Sequence, residues 1–242
     1  MKEYNFDNIA QDYHLKRKKP WNSFISFLKY LENKNYSFKG LNIDLGCGNG
    51  RHFPYLMKES NVLIGIDNSI ELLKISNKSL ESYNTFKIQI ICADLLFLPI
   101  RNNSINNIFS VAVIHHIKDR AMRENGIKQL FNIIKNGGYL LITVWRRWQV
   151  KYRKFFVKDW IQRKIKKCYK KHQESKDLKE FGDKIVPWTI SSNNKTYDRF
   201  YHFFSKHEIE NLINIFNIKE FKTMGGSTGE DNFFILAQKV IQ

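Results

Sequence analysis

Asp44-Leu45-Gly46-Cys47-Gly48-Asn49-Gly50 is the stretch that decides how this chain folds. The apolar run Leu41–Leu45 in front of the glycines reads as a strand, and Arg51–Met57 behind them can begin a helix. Three glycines at alternate positions permit left-handed backbone and let a ligand come close to the main chain. The free N–H groups of a following helix favour an anionic group such as a carboxylate. The spacing is GxGxG, not the GxGxxG of a dinucleotide site, and no Gly-Lys-Ser/Thr follows, which excludes a P-loop. A tight turn that binds nothing is the alternative for the glycines taken alone.

The neighbouring stretches favour a binding loop. Val62–Ile66 reads as a second buried strand, and Asp67 at its end is placed to accept both hydroxyls of a ribose. Its alternative role is a helix cap, which Asn68 or Ser69 could fill. A helix is expected over Ile70–Ser76 and a third strand over Phe86–Cys92, followed by Asp94. A carboxylate only accepts hydrogen bonds, so Asp94 suits the exocyclic amine of an adenine, with Leu95–Pro99 as an apolar wall. Ile108–Ile114 reads as a fourth strand running into His115-His116. Ala121–Ile134 is a helix stopped at Lys135-Asn136-Gly137-Gly138, and Tyr139–Trp145 is a fifth strand. Asp44, Asp67, Asp94 and His115 therefore all fall at the carboxyl ends of strands, where open α/β sheets bind ligands. A nucleoside bearing a carboxylate, such as S-adenosylmethionine, fits this loop better than a nucleotide.

The flanking regions complete the expected architecture. Lys16-Arg17-Lys18-Lys19-Pro20-Trp21 precedes an amphipathic helix from about 21 to 33, with Trp21, Phe24, Ile25, Leu28 and Leu31 at helical spacing. The N-terminal 38 residues read as a lid or an RNA contact, or as a solvated leader. Ser205 with Glu208 forms a capping box for a helix through Phe216. Ile218–Thr223 and Phe233–Lys239 then close the chain as an antiparallel hairpin. The fold class is α/β: a Rossmann-like, seven-stranded, mostly parallel sheet with helices on both faces, in one domain spanning 1–242.

Composition narrows the partners. The 242 residues carry a formal net charge of +17, with 43% hydrophobic and 14% aromatic residues, which suits a folded core and points to a polyanionic partner. A coding bias towards Lys and Asn is the alternative source of the charge. Residues 146–198 hold 16 Lys/Arg against 6 Asp/Glu, interleaved with Trp148, Tyr152, Phe155, Phe156, Trp160 and Tyr169. Cations among stackable rings are the composition of an RNA-binding insertion. A partly disordered basic loop with a helix on the core is the alternative, with Pro187-Trp188 ending the segment. Cys47, Cys92 and Cys168 are scattered, so neither a disulfide framework nor a zinc site is expected. The first residues lack an apolar signal region, and no run approaches the ~20 apolar residues of a membrane span. A cytoplasmic chain with no membrane partner is expected.

Taken together, the glycine loop, Asp67 and Asp94 make the chain resemble the class I S-adenosylmethionine-dependent methyltransferases. A narrower resemblance rests on Ile9-Ala10, Arg17-Lys18-Lys19-Pro20-Trp21, Leu98-Pro99-Ile100-Arg101, Ser110-Val111-Ala112-Val113-Ile114-His115-His116, Val144-Trp145, Val186-Pro187-Trp188 and Arg199-Phe200-Tyr201-His202. These boxes are similar to the wobble-uridine tRNA methyltransferases, which esterify 5-carboxymethyluridine at the first anticodon position. The chain departs from that pattern at Lys16, where Thr is common, and at Phe233, where Trp often follows Asn. The resemblance implies cofactor contacts from Asp44, Gly46, Gly48, Gly50, Asp67, Asp94, Leu95 and Ala112. It implies tRNA as substrate and a small zinc-binding activator protein as partner.

Methyl transfer to a carboxylate needs no deprotonation at neutral pH, which agrees with the lack of an obvious acid–base pair. No Asn-Pro-Pro-Tyr motif follows the fourth strand, against amino-group methylation, and no cysteine is placed for attack on a uridine carbon. His115 or His116, with Arg17, Arg199 and Tyr201, is expected to orient the carboxymethyl group. Of the two histidines His115 is assigned to the pocket. Methylation of another RNA position or of a small acid is the alternative function.

Overall fold

A computed structural model describes residues 6–81 and 87–240 of the chain. Its elements run α1 (Ala10–Lys16), α2 (Asn22–Asn33), β1 (Leu41–Leu45), α3 (Phe53–Leu56), β2 (Val62–Asp67), α4 (Ile70–Glu81), β3 (Ile88–Cys92) and β4 (Ile105–Val111). There follow α5 (Arg120–Ile133), β5 (Ile134–Trp145), α6 (Val150–Ile165), α7 (Lys167–Ser175), β6 (Asp183–Thr189), β7 (Thr196–His202), α8 (Lys206–Leu212), β8 (Asn217–Met224) and β9 (Asn232–Gln238). Seven strands form one sheet in the order β3-β2-β1-β4-β5-β9-β8, and β6 and β7 form a separate two-stranded sheet. The first five pair in parallel, while β9 runs antiparallel to both β5 and β8. The expected sheet and its closing hairpin are therefore present.

Strand alternation sorts the apolar residues onto two faces. Ile43 and Leu45 of β1, Ile108 of β4 and Leu140, Ile142 and Val144 of β5 point to the side covered by α5 and α8. Phe109, Val111, Leu141 and Phe234 point to the other side, where Phe24, Phe27, Leu28 and Leu31 of α2 pack with Phe53 and Leu73. The helix read from about 21 to 33 is thus a true layer of the core. The capping box is also as expected: Ser205 Oγ accepts from Glu208 N and the Glu208 carboxylate accepts from Ser205 N at 2.7 Å.

Several boundaries differ from the sequence reading. The fourth strand covers Ile105–Val111 rather than Ile108–Ile114, because Ala112 turns to φ +62 and Ile114–His116 forms a 3-10 turn. The helix after Asp67 runs on to Glu81. The third strand begins at Ile88, and Phe86 lies outside the described residues. The basic stretch 146–198 is ordered as α6, α7 and β6. Pro187 and Trp188 do not end it; they sit inside β6, opposite Asp198 and Tyr197 of β7. Proline is tolerated there because β6 is an edge strand with pairing on one side.

α6 and the β6–β7 hairpin share a small core beyond the end of β5, built from Tyr152, Phe156, Val186, Tyr201 and Phe203 against Trp145. It hangs on the sheet through Phe204 N to Trp145 O (2.9 Å) and Arg147 N to Phe204 O (2.8 Å). The segment that sequence marks as an insertion thereby ends directly over the carboxyl edge of the sheet.

Candidate active site

The glycine loop is folded for a ligand. Gly46 N and Cys47 N both donate to Ile66 O, at 2.7 and 3.0 Å, which ties the loop to β2. Gly46, Gly48 and Gly50 have φ of +67, +55 and +73. A Cβ on Gly46 would overlap Val113, and one on Gly50 would press on Ser76 and Phe53. At Gly48 a Cβ would only touch Leu72 and Tyr13, at 3.9 and 4.0 Å, so there it is the left-handed backbone rather than space that asks for glycine.

Beneath this loop lies Asp44, 1% exposed, with neither carboxylate oxygen hydrogen-bonded. Burial, reinforced by the charge of Asp67, raises its pKa to about 8. A buried acceptor without a donor is costly, so the site is built for a group that brings one. The α-ammonium of S-adenosylmethionine is such a group.

Asp67 is half-buried; Oδ2 accepts Gly48 N (2.8 Å) and Oδ1 accepts Ser69 N (2.9 Å). Its carboxylate thus braces the glycine loop and caps the α4 entrance, and each oxygen keeps a further lone pair for a ribose hydroxyl. Burial raises its pKa as well, partly offset by those N–H groups. Asp94 is exposed and Oδ1 accepts Leu96 N (2.8 Å), capping the 3-10 turn that carries the buried Leu95. Ala112 sits where β4 ends, its N–H bonded to Thr143 Oγ1 at 2.9 Å. A left-handed alanine is strained, and such strain collects at ligand sites.

The N-terminal segment covers the loop. Asp7 accepts Ser69 Oγ (2.6 Å) and Glu71 N (3.0 Å), and Asn49 Nδ2 donates to Arg17 O (3.1 Å). Ala10 packs on Leu72 and Ile75 of α4. The same short helix grips the β6–β7 hairpin through Asp12. This buried carboxylate accepts Trp188 Nε1 (2.7 Å) and Ser191 N (2.8 Å) and pairs with Lys16 (2.7 Å). Burial would raise the Asp12 pKa, yet these partners outweigh it and bring it down to about 2.

On the hairpin side the candidate catalytic residues converge on two rings. Arg199 lies 4.6 Å above Trp188 and 5.1 Å from Tyr201; Arg17 and Lys16 lie 5.7 and 5.1 Å from the same Trp188. Arg199 is 8% exposed and its Nε has no hydrogen-bond partner. His115 stacks on Tyr201 at 5.0 Å, with Trp145 4.4 Å from that ring. His115 Nδ1 is buried and unpartnered, whereas His116 Nδ1 donates to Phe200 O at 3.0 Å. Burial drives His115 well below the usual imidazole range, helped by His116 and Arg199. Burial lowers His116 to about 4 against the pull of its carbonyl partner. Both rings are neutral at pH 7. Burial also pushes the Tyr201 phenol up, so it remains protonated.

All four expected catalytic side chains thus meet, and the cofactor candidates gather around the glycine loop. Tyr13 joins the halves: it lies beside the Gly48 backbone and its ring is 5.6 Å from Trp188. Sequence reasoning did not single out Tyr13, Asp12 or Trp188 as site residues. The Val-Pro-Trp and Arg-x-Tyr boxes were the available signal, since the hairpin sets them on neighbouring strands. It also missed the group of Glu180 with the buried Asp183 and His202. There His202 Nδ1 donates to Asp183 at 2.7 Å, and Arg123, 2% exposed, pairs with Glu180 at 2.7 Å and supplies the compensating positive charge.

Comparisons with known proteins bear on this geometry. Residues 43–142, which span the glycine loop, Asp67, Asp94 and the start of the hairpin-facing edge, match the methyltransferase domain family. A solved S-adenosylmethionine-dependent methyltransferase from Methanosarcina mazei superposes with a TM-score of 0.67 over 88% of this chain and 98% of that one, at 21% identity. Residues 43–142 thus carry a methyltransferase domain, and the fold is that of S-adenosylmethionine-dependent methyltransferases. The N-methyltransferase NodS of Bradyrhizobium japonicum, solved with S-adenosyl-L-homocysteine, shares the fold at a TM-score of 0.56 and 15% identity, over 88% of this chain and 84% of its own. Among curated proteins, the tRNA (carboxymethyluridine(34)-5-O)-methyltransferase of Schizosaccharomyces pombe is 28% identical over 97% of this methyltransferase and 94% of its own length. The Arabidopsis thaliana protein of the same name is 33% identical over 58% of this chain and 31% of its own.

Proposed function

We propose that the methyltransferase esterifies the carboxylate of 5-carboxymethyluridine at the wobble position of tRNA, taking the methyl group from S-adenosylmethionine. The observation that carries this reading is Arg199. Its guanidinium is buried against Trp188 and Tyr201 with Nε unpartnered, and Arg17 approaches the same indole. A cation held so far from water, with a donor unspent, suits a planar anion brought by a substrate. The full-length relative that is 28% identical bears the name of this activity.

When bound, S-adenosylmethionine supplies an electrophilic methyl on a sulfonium and a neutral leaving group. Asp44 would hold the ammonium of its amino-acid end beside the glycine loop, Asp67 its ribose, and Asp94 with Leu95 its adenine. The chain's remaining work is placement. Arg199 and Arg17 hold the substrate carboxylate, which is ionised at pH 7 without a base. The neutral His115 and the protonated Tyr201 donate without adding charge, so one carboxylate oxygen stays nucleophilic. Trp145, Trp188 and Tyr13 exclude water, and fixed orientation lowers the barrier.

The +17 charge and the ordered basic segment suit tRNA. A small zinc-binding activator protein is the proposed partner on the family resemblance alone. Among the described residues no helix is long and apolar enough to cross a membrane; with a tRNA substrate, the proposed compartment is the cytoplasm. The test is transfer of labelled methyl from S-adenosylmethionine to tRNA carrying 5-carboxymethyluridine, beside tRNA lacking it and small carboxylic acids. Label on the modified tRNA alone is expected; label on the unmodified tRNA or the acids would overturn the substrate assignment.

A further inference from the structure

α6 has a second face that the core does not use. Tyr152, Phe156 and Asp159 turn inward. The outward side carries Val150, Val157, Trp160, Ile161 and Ile165, with Trp160 46% and Ile165 72% exposed. Arg153, Lys154, Lys158 and Lys164 share that side. The helical period places Val150, Lys154, Val157, Ile161, Lys164 and Ile165 within about a third of the circumference. Lys164 Nζ lies 4.1 Å above the Trp160 ring. Across residues 150–175 ten Lys/Arg face only two Asp/Glu.

This arm is held in place. Asp159, at 1% exposure, pairs with Arg163 (2.8 Å) and accepts Tyr169 OH (2.9 Å), which fixes α7 to α6. Arg163 Nη2 also donates to Leu178 O at 2.9 Å. The inner face of α6 reaches the candidate active site through rings: Phe156 and Tyr152 lie 5.0 and 4.9 Å from Phe203, which lies 6.2 Å from Tyr201. The outer face is therefore one helix diameter, roughly 10–12 Å, plus these ring-to-ring steps from the ring beside Arg199.

We infer that the outward face of α6 is the docking surface for the unpaired nucleotides flanking the target uridine, its cations taking phosphates and Trp160 stacking on a base. The inference rests on the proposal that the substrate is RNA, and adds where and how it is gripped. The pattern of the face separates RNA from lipid. A helix that lies in a membrane segregates its apolar side from its cations. Here ammonium groups and apolar side chains alternate on one surface, so insertion would bury charge, whereas single-stranded RNA offers phosphates and base faces in alternation.

The test uses the full chain, without cofactor, and a fluorescent anticodon stem-loop RNA lacking the modified uridine, titrated across salt concentrations. Trp160→Ala should weaken binding roughly 5- to 150-fold, the loss of one stacked base, without changing the salt slope. Lys154→Ala, Lys158→Ala and Lys164→Ala together should flatten the slope of log K against log salt by about 2. All these side chains are exposed, and matching circular dichroism and melting curves verify folding. Wild-type affinity and slope in both variants would overturn the inference, as would a wild-type chain that does not bind the RNA. Loss of binding to phosphatidylserine vesicles in place of RNA would overturn it in favour of a membrane surface. Since neither the modified uridine nor the cofactor is present, this result and the methyl-transfer assay can fail separately.

Discussion

Replacing Asp44 with Asn should make the ligand-free chain more stable and its cofactor site worse. The carboxyl is fully buried, without a donor, and its pKa stands at about 8 instead of the usual 3.8. An acid whose folded pKa is raised contributes stability below its unfolded pKa and loses it as pH rises towards the folded one. Between pH 3.8 and 7 that loss is on the order of 4 kcal/mol at 1.36 kcal/mol per unit. Asn removes the titration, but its amide also needs partners, at about 1–3 kcal/mol. The net gain at pH 7 is about 1–3 kcal/mol, or roughly 2–10 °C in Tm for a chain of this size. The cofactor response should move the other way. S-adenosylmethionine at 100 times its Kd stabilises the wild type by about 2.7 kcal/mol. Loss of a charge-assisted hydrogen bond, about 1.5–3 kcal/mol, should remove at least half of that. Differential scanning fluorimetry at pH 5, 7 and 8, with and without cofactor, reads both effects. The gain in ligand-free Tm should grow with pH. A variant that melts lower without ligand, or that keeps the full cofactor shift, refutes the role given to Asp44.

Two further predictions concern the hairpin. Arg199→Met should lower kcat/KM for modified tRNA about 10- to 150-fold, the worth of one charged hydrogen bond, while calorimetry shows unchanged cofactor affinity; equal turnover, or a matching loss of cofactor binding, would remove Arg199 from the substrate site. With both substrates saturating, kcat should be flat from pH 6 to 8. Burial holds His115 well below the usual imidazole range and His116 at about 4, so both are neutral there; an acid limb near pH 6.5 in the rate profile would mean that a histidine takes or gives a proton.

How far the sequence could be read depended on whether each signal was local. The glycine loop, the helix over Asn22–Asn33 and the Ser205–Glu208 box are fixed by neighbours in sequence, and all three stand as expected. The fourth strand was placed three residues late, since Ile108–Ile114 is apolar throughout and gives no hint that Ala112 turns left-handed. Pro187-Trp188 looked like a stop because strand pairing is invisible in sequence. Among the described residues β6 pairs with β7 alone, and the Trp188 indole is bonded to Asp12, 176 positions away. Nothing in the polar residues before Pro20 singles out Asp12. Arg123 is one of 40 Lys/Arg in the chain, and only tertiary packing distinguishes the one that is 2% exposed. Charge in the 146–198 segment was legible as composition; its division into an inward aromatic face and an outward mixed one required the helix.

The central claim is the esterification of a wobble carboxylate, and nucleoside mass spectrometry tests it most directly. Anticodon stem-loop RNA carrying 5-carboxymethyluridine is incubated with S-adenosylmethionine and the chain, with and without a zinc-binding activator protein, then digested to nucleosides. The account predicts a gain of one methyl on that nucleoside, removed again by esterase. No gain under either condition, with cofactor binding established by calorimetry, or a methyl that esterase does not release, would contradict it.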